Sequence, residues 1–151
     1  MDNRIPPPLV ATLFGLLAWL ASRYLPGTLS LAVEWRIGVA LVVALVGVAI
    51  CLAGVFSFRC ARTTVNPLKP ETASALVSSG VYRYTRNPMY LGFATVLLAW
   101  SIFLAWPPAL LGVPGFVIYM TLFQIGPEER ALSRLFGTEF TQYCNRVRRW
   151  L

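Results

Sequence analysis

Residues 80–92 collect side chains that could bind a ligand, and they lie directly before a long apolar run. They supply two guanidinium groups, three phenols and an amide: Arg83, Arg86, Tyr82, Tyr84, Tyr90 and Asn87. An arginine presents paired N–H donors to a carboxylate, and aromatic rings stack on a flat heterocycle or a cation. Pro88 suits the first position of a helix, where unpaired N–H groups favour an anion. The segment predicts a binding site, although spacing alone does not name the ligand.

A second polar cluster, Glu128 and Glu129, follows a later apolar run. Each cluster alone also has a structural interpretation. Tyrosine and arginine at the end of a membrane span are common interfacial anchors. A glutamate pair in the first turn of a helix complements the helix dipole. Because both clusters are expected on one face of the protein, at the ends of adjacent helices, together they predict a ligand site.

The elements that must position these clusters are apolar helices. The chain of 151 residues is 57% hydrophobic, which is too apolar for an ordinary soluble domain. Two uncharged runs of 22 and 18 residues approach or exceed the roughly 20 residues that a membrane-crossing helix needs. We therefore predict an all-α, polytopic membrane protein that forms a single domain over residues 1–151, with about four transmembrane helices. The predicted spans are 9–25, 37–58, 89–106 and 109–125.

Basic residues are distributed unevenly between the two sides of this arrangement. Eleven of the 13 Lys and Arg residues fall on the side of the termini and the central segment 59–88, and two, Arg23 and Arg36, fall on the other. The positive-inside rule then predicts a multi-pass membrane protein with both termini and the active site on the cytoplasmic side. The net charge of +7 indicates attraction to anionic membrane lipids; nucleic acid is not an expected partner.

Helices are also expected in the polar segments. Pro70 and Gly80 delimit a predicted short helix at 70–78. Gly126 and Pro127 are expected to start C-terminal amphipathic helices over 127–149, which Gly137 divides in two. Their apolar stripe predicts interfacial helices that either anchor the tail or fold over the spans as a lid.

Metal chemistry and histidine-dependent catalysis are not expected. The chain contains no histidine, and its three cysteines form no CxxC pattern. Without these ligands a zinc site is not predicted, and a Ser-His-Asp triad cannot form.

Residues 80–92, followed by Glu128-Glu129 and the string LFGTEF at 135–140, resemble the family of isoprenylcysteine carboxyl methyltransferases and phospholipid methyltransferases. The resemblance covers about residues 63–151. It implies S-adenosylmethionine as cofactor, bound by residues of both clusters, with Arg86 and Glu129 as catalytic residues. The implied cofactor-binding residues are Tyr82, Arg83, Tyr84, Arg86, Asn87, Pro88, Met89, Tyr90, Gly92, Glu128 and Glu129. The family usually has histidine where this chain has Asn87, and asparagine cannot carry a proton as a base.

The resemblance implies methyl transfer to a lipophilic small molecule or a lipidated acceptor in the membrane. An isoprenylated cysteine carboxylate, a phospholipid amine and a small thiol all remain open as acceptors, and the sequence does not indicate an oligomeric state. Two other classes also stay open: an NADPH-dependent membrane reductase of the steroid-reductase type, and a non-catalytic membrane scaffold. The scaffold would leave the polar cluster at 83–90 without an explanation.

Overall fold

A computed structural model describes residues 5–61 and 75–151, and the regular elements in these two ranges are all helices. The predicted all-α fold is thereby confirmed. The α-helices are α1 Pro7–Tyr24, α2 Val33–Cys60, α3 Pro88–Leu104, α4 Gly112–Met120 and α5 Gly126–Arg146. Of the predicted helix at 70–78, the part up to residue 74 lies outside the described residues, and residues 75–78 are not helical.

Within the described residues, two helical stretches are long and apolar enough to cross a membrane. One is α2, with 28 residues, and the other is the 40-residue stretch Pro107–Arg146, which contains α4 and α5. Helix α3 is apolar but has only 17 residues. The structure therefore gives two candidate membrane-spanning helices, and the count of four spans stays a prediction.

Glycines allow the backbones of α2 and α3 to pack closely against each other. A Cβ atom added to Gly47 would lie 2.8 Å from the carbonyl oxygen of Gly92, and one added to Gly92 would lie 2.6 Å from that of Gly47. Small residues allow helix backbones to approach in this way, and apolar helices commonly associate through them. The close packing of α2 on α3 fixes the position of the N-terminal part of α3, which carries part of the candidate site.

The opposite end of α3 is closed by Arg36 at the start of α2. The helix terminates at Ala105, whose φ of 49° is left-handed. Arg36 donates through Nε to the carbonyl oxygen of Phe103 at 2.9 Å, and Leu29 N–H donates to that of Ala105 at 2.7 Å. These donors satisfy carbonyl groups that a helix end would otherwise leave unpaired.

The largest buried cluster joins α1, α3 and the α4–α5 region. Phe116, Met120 and Ile125 are at most 1% exposed, and Val10 and Tyr90 pack with them. Phe14 of α1 meets Phe116 edge to face, with ring centroids 6.3 Å apart. This core fixes the position of α3 relative to α4 and α5.

The α4–α5 junction differs from the prediction that a new helix starts at Gly126 and Pro127. Helix α5 does begin at Gly126, but the helical backbone is continuous from α4 through a π-helical segment, Thr121–Ile125. The Gly126 N–H bonds to the carbonyl of Thr121, five residues back. Because Pro127 has no N–H to donate and its ring crowds the preceding turn, a wider turn accommodates it without ending the helix.

The predicted break at Gly137 is present. Its φ of 49° and ψ of −118° are non-helical and separate two helical segments within α5. Only glycine adopts such a conformation readily.

Candidate functional site

Three parts of the fold meet at one end of the molecule: the C-terminal turns of α2, the segment leading into α3, and the α4–α5 junction. The leading segment contains the 3₁₀ turn Gly80–Arg83, followed by Asn87 as the residue before α3. Tyr90 is in the first turn of α3, and Glu128 and Glu129 are in the first turn of α5. The two motifs, about 40 residues apart in sequence, are in direct contact here.

Tyr90 and Glu128 form the deeper of the two contacts. The Tyr90 hydroxyl donates to Glu128 Oε1 at 2.5 Å, and Gln124 Nε2 donates to the same oxygen at 2.9 Å. Tyr90 is 4% exposed and Gln124 5%. Gln124 lies within the π-helical segment Thr121–Ile125 and precedes Glu128 by four residues. Two donors on one oxygen hold the carboxylate in a fixed orientation.

Glu129 lies between two arginine side chains. Arg86 Nη2 is 3.2 Å from its Oε1, while Arg149 donates from Nε to Oε1 at 3.0 Å and from Nη2 to Oε2 at 2.6 Å. The bidentate pair with Glu129 raises the pKa of Arg149. Two guanidinium groups facing one carboxylate leave a local excess of one positive charge.

Arg86 has further donors around this ion pair. Its Nη1 is in hydrogen-bond contact with the Cys144 sulfur. Its Nε is buried, and it is the one buried side-chain nitrogen or oxygen in the described residues without a hydrogen-bond partner. Such an atom is costly to leave unpaired, so Nε is a donor that a bound ligand could use.

Asn87 is attached to the segment that follows α5. Its Nδ2 donates to the carbonyl oxygen of Arg149 at 2.9 Å, and the Thr85 hydroxyl donates to the same oxygen at 3.3 Å. Thr85 is fully buried, and its hydroxyl also accepts the Asn87 N–H at 3.2 Å. In this structure Asn87 therefore acts as a hydrogen-bond donor to backbone.

Tyr82, within the 3₁₀ turn, packs against both α2 and α5. It is 5% exposed and meets Phe58 of α2 edge to face, with centroids 5.4 Å apart. Its carbonyl oxygen accepts the Tyr143 hydroxyl at 2.8 Å, which connects the turn to α5. Burial raises the pKa of the Tyr82 phenol above its ordinary value.

The other predicted site residues lie at the edges of this cluster. Arg83 and Tyr84 are exposed, and Tyr84 retains 75% of its accessible surface. Met89 and Gly92 lie against α2: Cys51 Sγ donates to the carbonyl of Met89 at 3.3 Å, and Gly92 is a close-packing glycine. Pro88 is buried at the first position of α3. The structure thus brings together Tyr82, Arg86, Asn87, Tyr90, Glu128 and Glu129, and it turns Arg83 and Tyr84 outwards.

Several residues of the cluster were not predicted from the sequence: Thr85, Gln124, Tyr143, Cys144 and Arg149. Gln124 had a usable signal, because a glutamine four residues before Glu128 in an apolar helix is close enough to pair with it. The sequence carried no comparable signal for Arg149, because it was one of several arginines in the C-terminal tail that were assigned to membrane orientation.

Comparison with known proteins assigns the family. A model of the phospholipid methyltransferase family matches residues 35–139, a range that includes both motifs. The chain belongs to this family, and the predicted family of membrane methyltransferases is confirmed. No solved structure matches the chain.

Two relatives add detail. An uncharacterised protein of Haemophilus influenzae is 44% identical over 63 residues, which are 42% of this chain and all of that protein. A protein named Protein-S-isoprenylcysteine O-methyltransferase, from Saccharomyces cerevisiae, is 34% identical over 82 residues. That match covers 52% of this chain and 33% of the yeast protein. Family and relative together indicate a methyltransferase.

Proposed function

We propose that the protein transfers a methyl group from S-adenosylmethionine to a lipophilic or membrane-delivered acceptor. The observation that carries this proposal is the single cluster formed by residues of both motifs. In it Arg86 forms an ion pair with Glu129, and the Tyr90 hydroxyl donates to Glu128. Either motif alone has an ordinary structural role, but their contact at the N-terminal turns of α3 and α5 builds one polar site in an apolar helical protein.

The charges of the cluster suit the amino-acid end of the cofactor, which carries a carboxylate and an ammonium. Around Glu129 the excess positive charge and the unpaired Arg86 Nε favour the carboxylate. Nearby Glu128, held by Tyr90, would receive the ammonium or the ribose hydroxyls. The residues present therefore fit the cofactor.

When bound, S-adenosylmethionine supplies an electrophilic methyl group on a sulfonium. The protein's contribution is positioning and exclusion of water, because methyl transfer is an in-line displacement. Arg86 and Glu129 fix one end of the site, and buried Tyr90 keeps solvent from the Glu128 carboxylate. Asn87 donates to a backbone carbonyl, and its amide cannot take a proton from the acceptor as a base.

The membrane arrangement that we propose keeps four spans and places both termini on the cytoplasmic side with the site. The end of the fold with the site holds Arg59 in the last turn of α2, Arg86 before α3, Arg130 in α5 and Arg149 after α5, and Arg36 at the start of α2 lies at the other end. This distribution agrees with the positive-inside rule. The acceptor would then reach the site from the cytoplasmic leaflet.

The proposal is tested by equilibrium binding of labelled S-adenosylmethionine to purified protein in lipid nanodiscs. We expect saturable binding by the wild type, and a loss of affinity of about tenfold or more in Arg86→Gln and in Glu129→Gln. Exposed residues of the same types give matched controls in Arg134→Gln and Glu139→Gln, which should bind as the wild type does. Binding of NADPH instead would indicate a reductase, and binding of neither ligand would indicate a scaffold.

The acceptor is identified by methyl transfer to a panel that contains a prenylated cysteine, an amino phospholipid and a small thiol. A prenylated cysteine is our first expectation, because the yeast relative is named as an O-methyltransferase of isoprenylcysteine. Transfer only to the phospholipid amine would assign the chain to the reaction in the family's description. Cofactor binding without transfer to any of the three would contradict the proposed acceptor class.

A further inference from the structure

Residues 147–151 form a strap that leaves the end of α5 and crosses the candidate site. Helix α5 ends at Arg146, and Val147 has the extended φ and ψ values of −126° and 130°. Val147 is buried in a cluster with Phe140 and Tyr143. Trp150 donates through Nε1 to the Thr121 hydroxyl at 3.1 Å. The strap is therefore anchored on both sides of the site.

Between these anchors, the backbone of the strap is bonded to the segment before α3. The Arg86 N–H donates to the carbonyl of Arg148 at 3.0 Å. Asn87 and Thr85 both donate to the carbonyl of Arg149. Three successive residues of the ligand-site motif thus hold two successive carbonyls of the strap.

The Arg149 side chain then returns to the site and makes a bidentate contact with Glu129. Arg86, whose backbone holds the strap, contacts the same carboxylate. The resulting ring of contacts runs from Arg86 through the strap to Arg149, on to Glu129, and back to Arg86. A bidentate arginine fixes both oxygens of a carboxylate, so the strap sets the orientation of Glu129.

We propose that the strap is part of the ligand site and that Arg149 is a positioning residue, which orients Glu129 while Asn87 holds Arg149 in place. The proposal rests on the proposed function for the identity of the ligand. It also gives position 87 a role that needs only a side-chain donor. Histidine carries Nδ1 on the branch where asparagine carries Nδ2, so either residue could donate to the strap.

The first test needs no cofactor. Hydrogen exchange of the Arg86 amide, followed by mass spectrometry, reports whether the strap is attached, because that amide bonds to Arg148. We expect faster exchange in Asn87→Leu and in Arg149→Gln, and restored protection in Asn87→His. Arg146→Gln, a change of an exposed arginine on α5, serves as the control and should leave exchange unchanged. Unchanged protection in both Asn87→Leu and Arg149→Gln would overturn the proposal.

The second test measures coupling through affinity for labelled S-adenosylmethionine. We expect Arg149→Gln to weaken binding about tenfold. The double variant with Glu129→Gln should be no weaker than Glu129→Gln alone, because Arg149 acts through Glu129. Additive losses would show that Arg149 acts independently and would refute a positioning role. If the wild type binds no cofactor, the proposed function fails, while the exchange measurements still decide whether the strap is held as proposed.

Discussion

Glu129 shares its carboxylate between Arg86 and Arg149, and replacement by glutamine removes the negative charge while keeping the shape of the side chain. In Glu129→Gln the two guanidinium groups would face each other without a counter-charge. We expect this single change to destabilise the folded protein in the absence of any ligand.

The magnitude follows from the burial of the three side chains. Arg86 and Glu129 retain 14% and 20% of their side-chain surface, so their pair is mostly buried. Removal of one partner from a fully buried pair costs about 3–5 kcal/mol, because the remaining charge is uncompensated. Arg149 is 40% exposed, and its loss of a partner adds less than about 1 kcal/mol, since water screens it. Partial exposure and the remaining hydrogen-bonding capacity of glutamine reduce the expected sum to about 3 kcal/mol.

The measurement is reversible unfolding in mixed detergent micelles, followed by tryptophan fluorescence. Glu139→Gln, at an exposed position of α5, is the matched control and should change the free energy of unfolding by less than about 0.5 kcal/mol. The double variant Arg86→Gln with Glu129→Gln should be more stable than the sum of the single changes predicts, with a coupling of about 1–3 kcal/mol. A loss below about 0.5 kcal/mol in Glu129→Gln, or strict additivity, would refute the ion-pair geometry.

Three further changes test other parts of the structure. Tyr90→Phe keeps the buried ring but removes the donor to Glu128; cofactor affinity should fall about tenfold in a binding titration, and an unchanged affinity would contradict a role for this bond. Gly92→Ala places a methyl group 2.6 Å from a carbonyl oxygen of α2 and should lower the free energy of unfolding by about 1–3 kcal/mol, whereas Gly38→Ala, which meets nothing within 4 Å, should not. Gly137→Ala forces a side chain into a backbone conformation, φ 49° and ψ −118°, that favours glycine and should cost about 1–3 kcal/mol in the same assay; equal stability would show that the break in α5 does not require glycine.

The helices and the meeting of the two motifs followed from local features of the sequence. Uncharged runs marked α2 and α3 to within a few residues, because transfer of apolar side chains out of water dominates the choice of such segments. Charge balance placed Arg86 and Glu129 on the same side of the predicted membrane. The sequence therefore predicted that Arg86 and Glu129 lie near each other, although it did not predict that they form an ion pair.

The direction of individual side chains was not predictable in the same way. Residues 82–84 were grouped as one ligand-binding set, but the 3₁₀ turn Gly80–Arg83 buries Tyr82 and exposes Arg83 and Tyr84. Which face of such a turn is buried depends on the neighbouring helix, here on Phe58 of α2. The π turn before Gly126 was also unpredictable, since it depends on how the helix packs around Pro127 as well as on the proline itself.

Asn87 shows that the site depends on the strap, residues 147–151, which has no recognisable sequence motif. Judged only by its type, asparagine in place of the family's usual histidine removes a possible base. In the structure the Asn87 side chain donates a hydrogen bond to the Arg149 carbonyl, and an asparagine amide is a good donor for this bond. If the strap is the reason for a donor at position 87, the substitution preserves the positioning of Glu129. Asn87 then contributes to the proposed methyl transfer through positioning, which an in-line displacement chiefly requires.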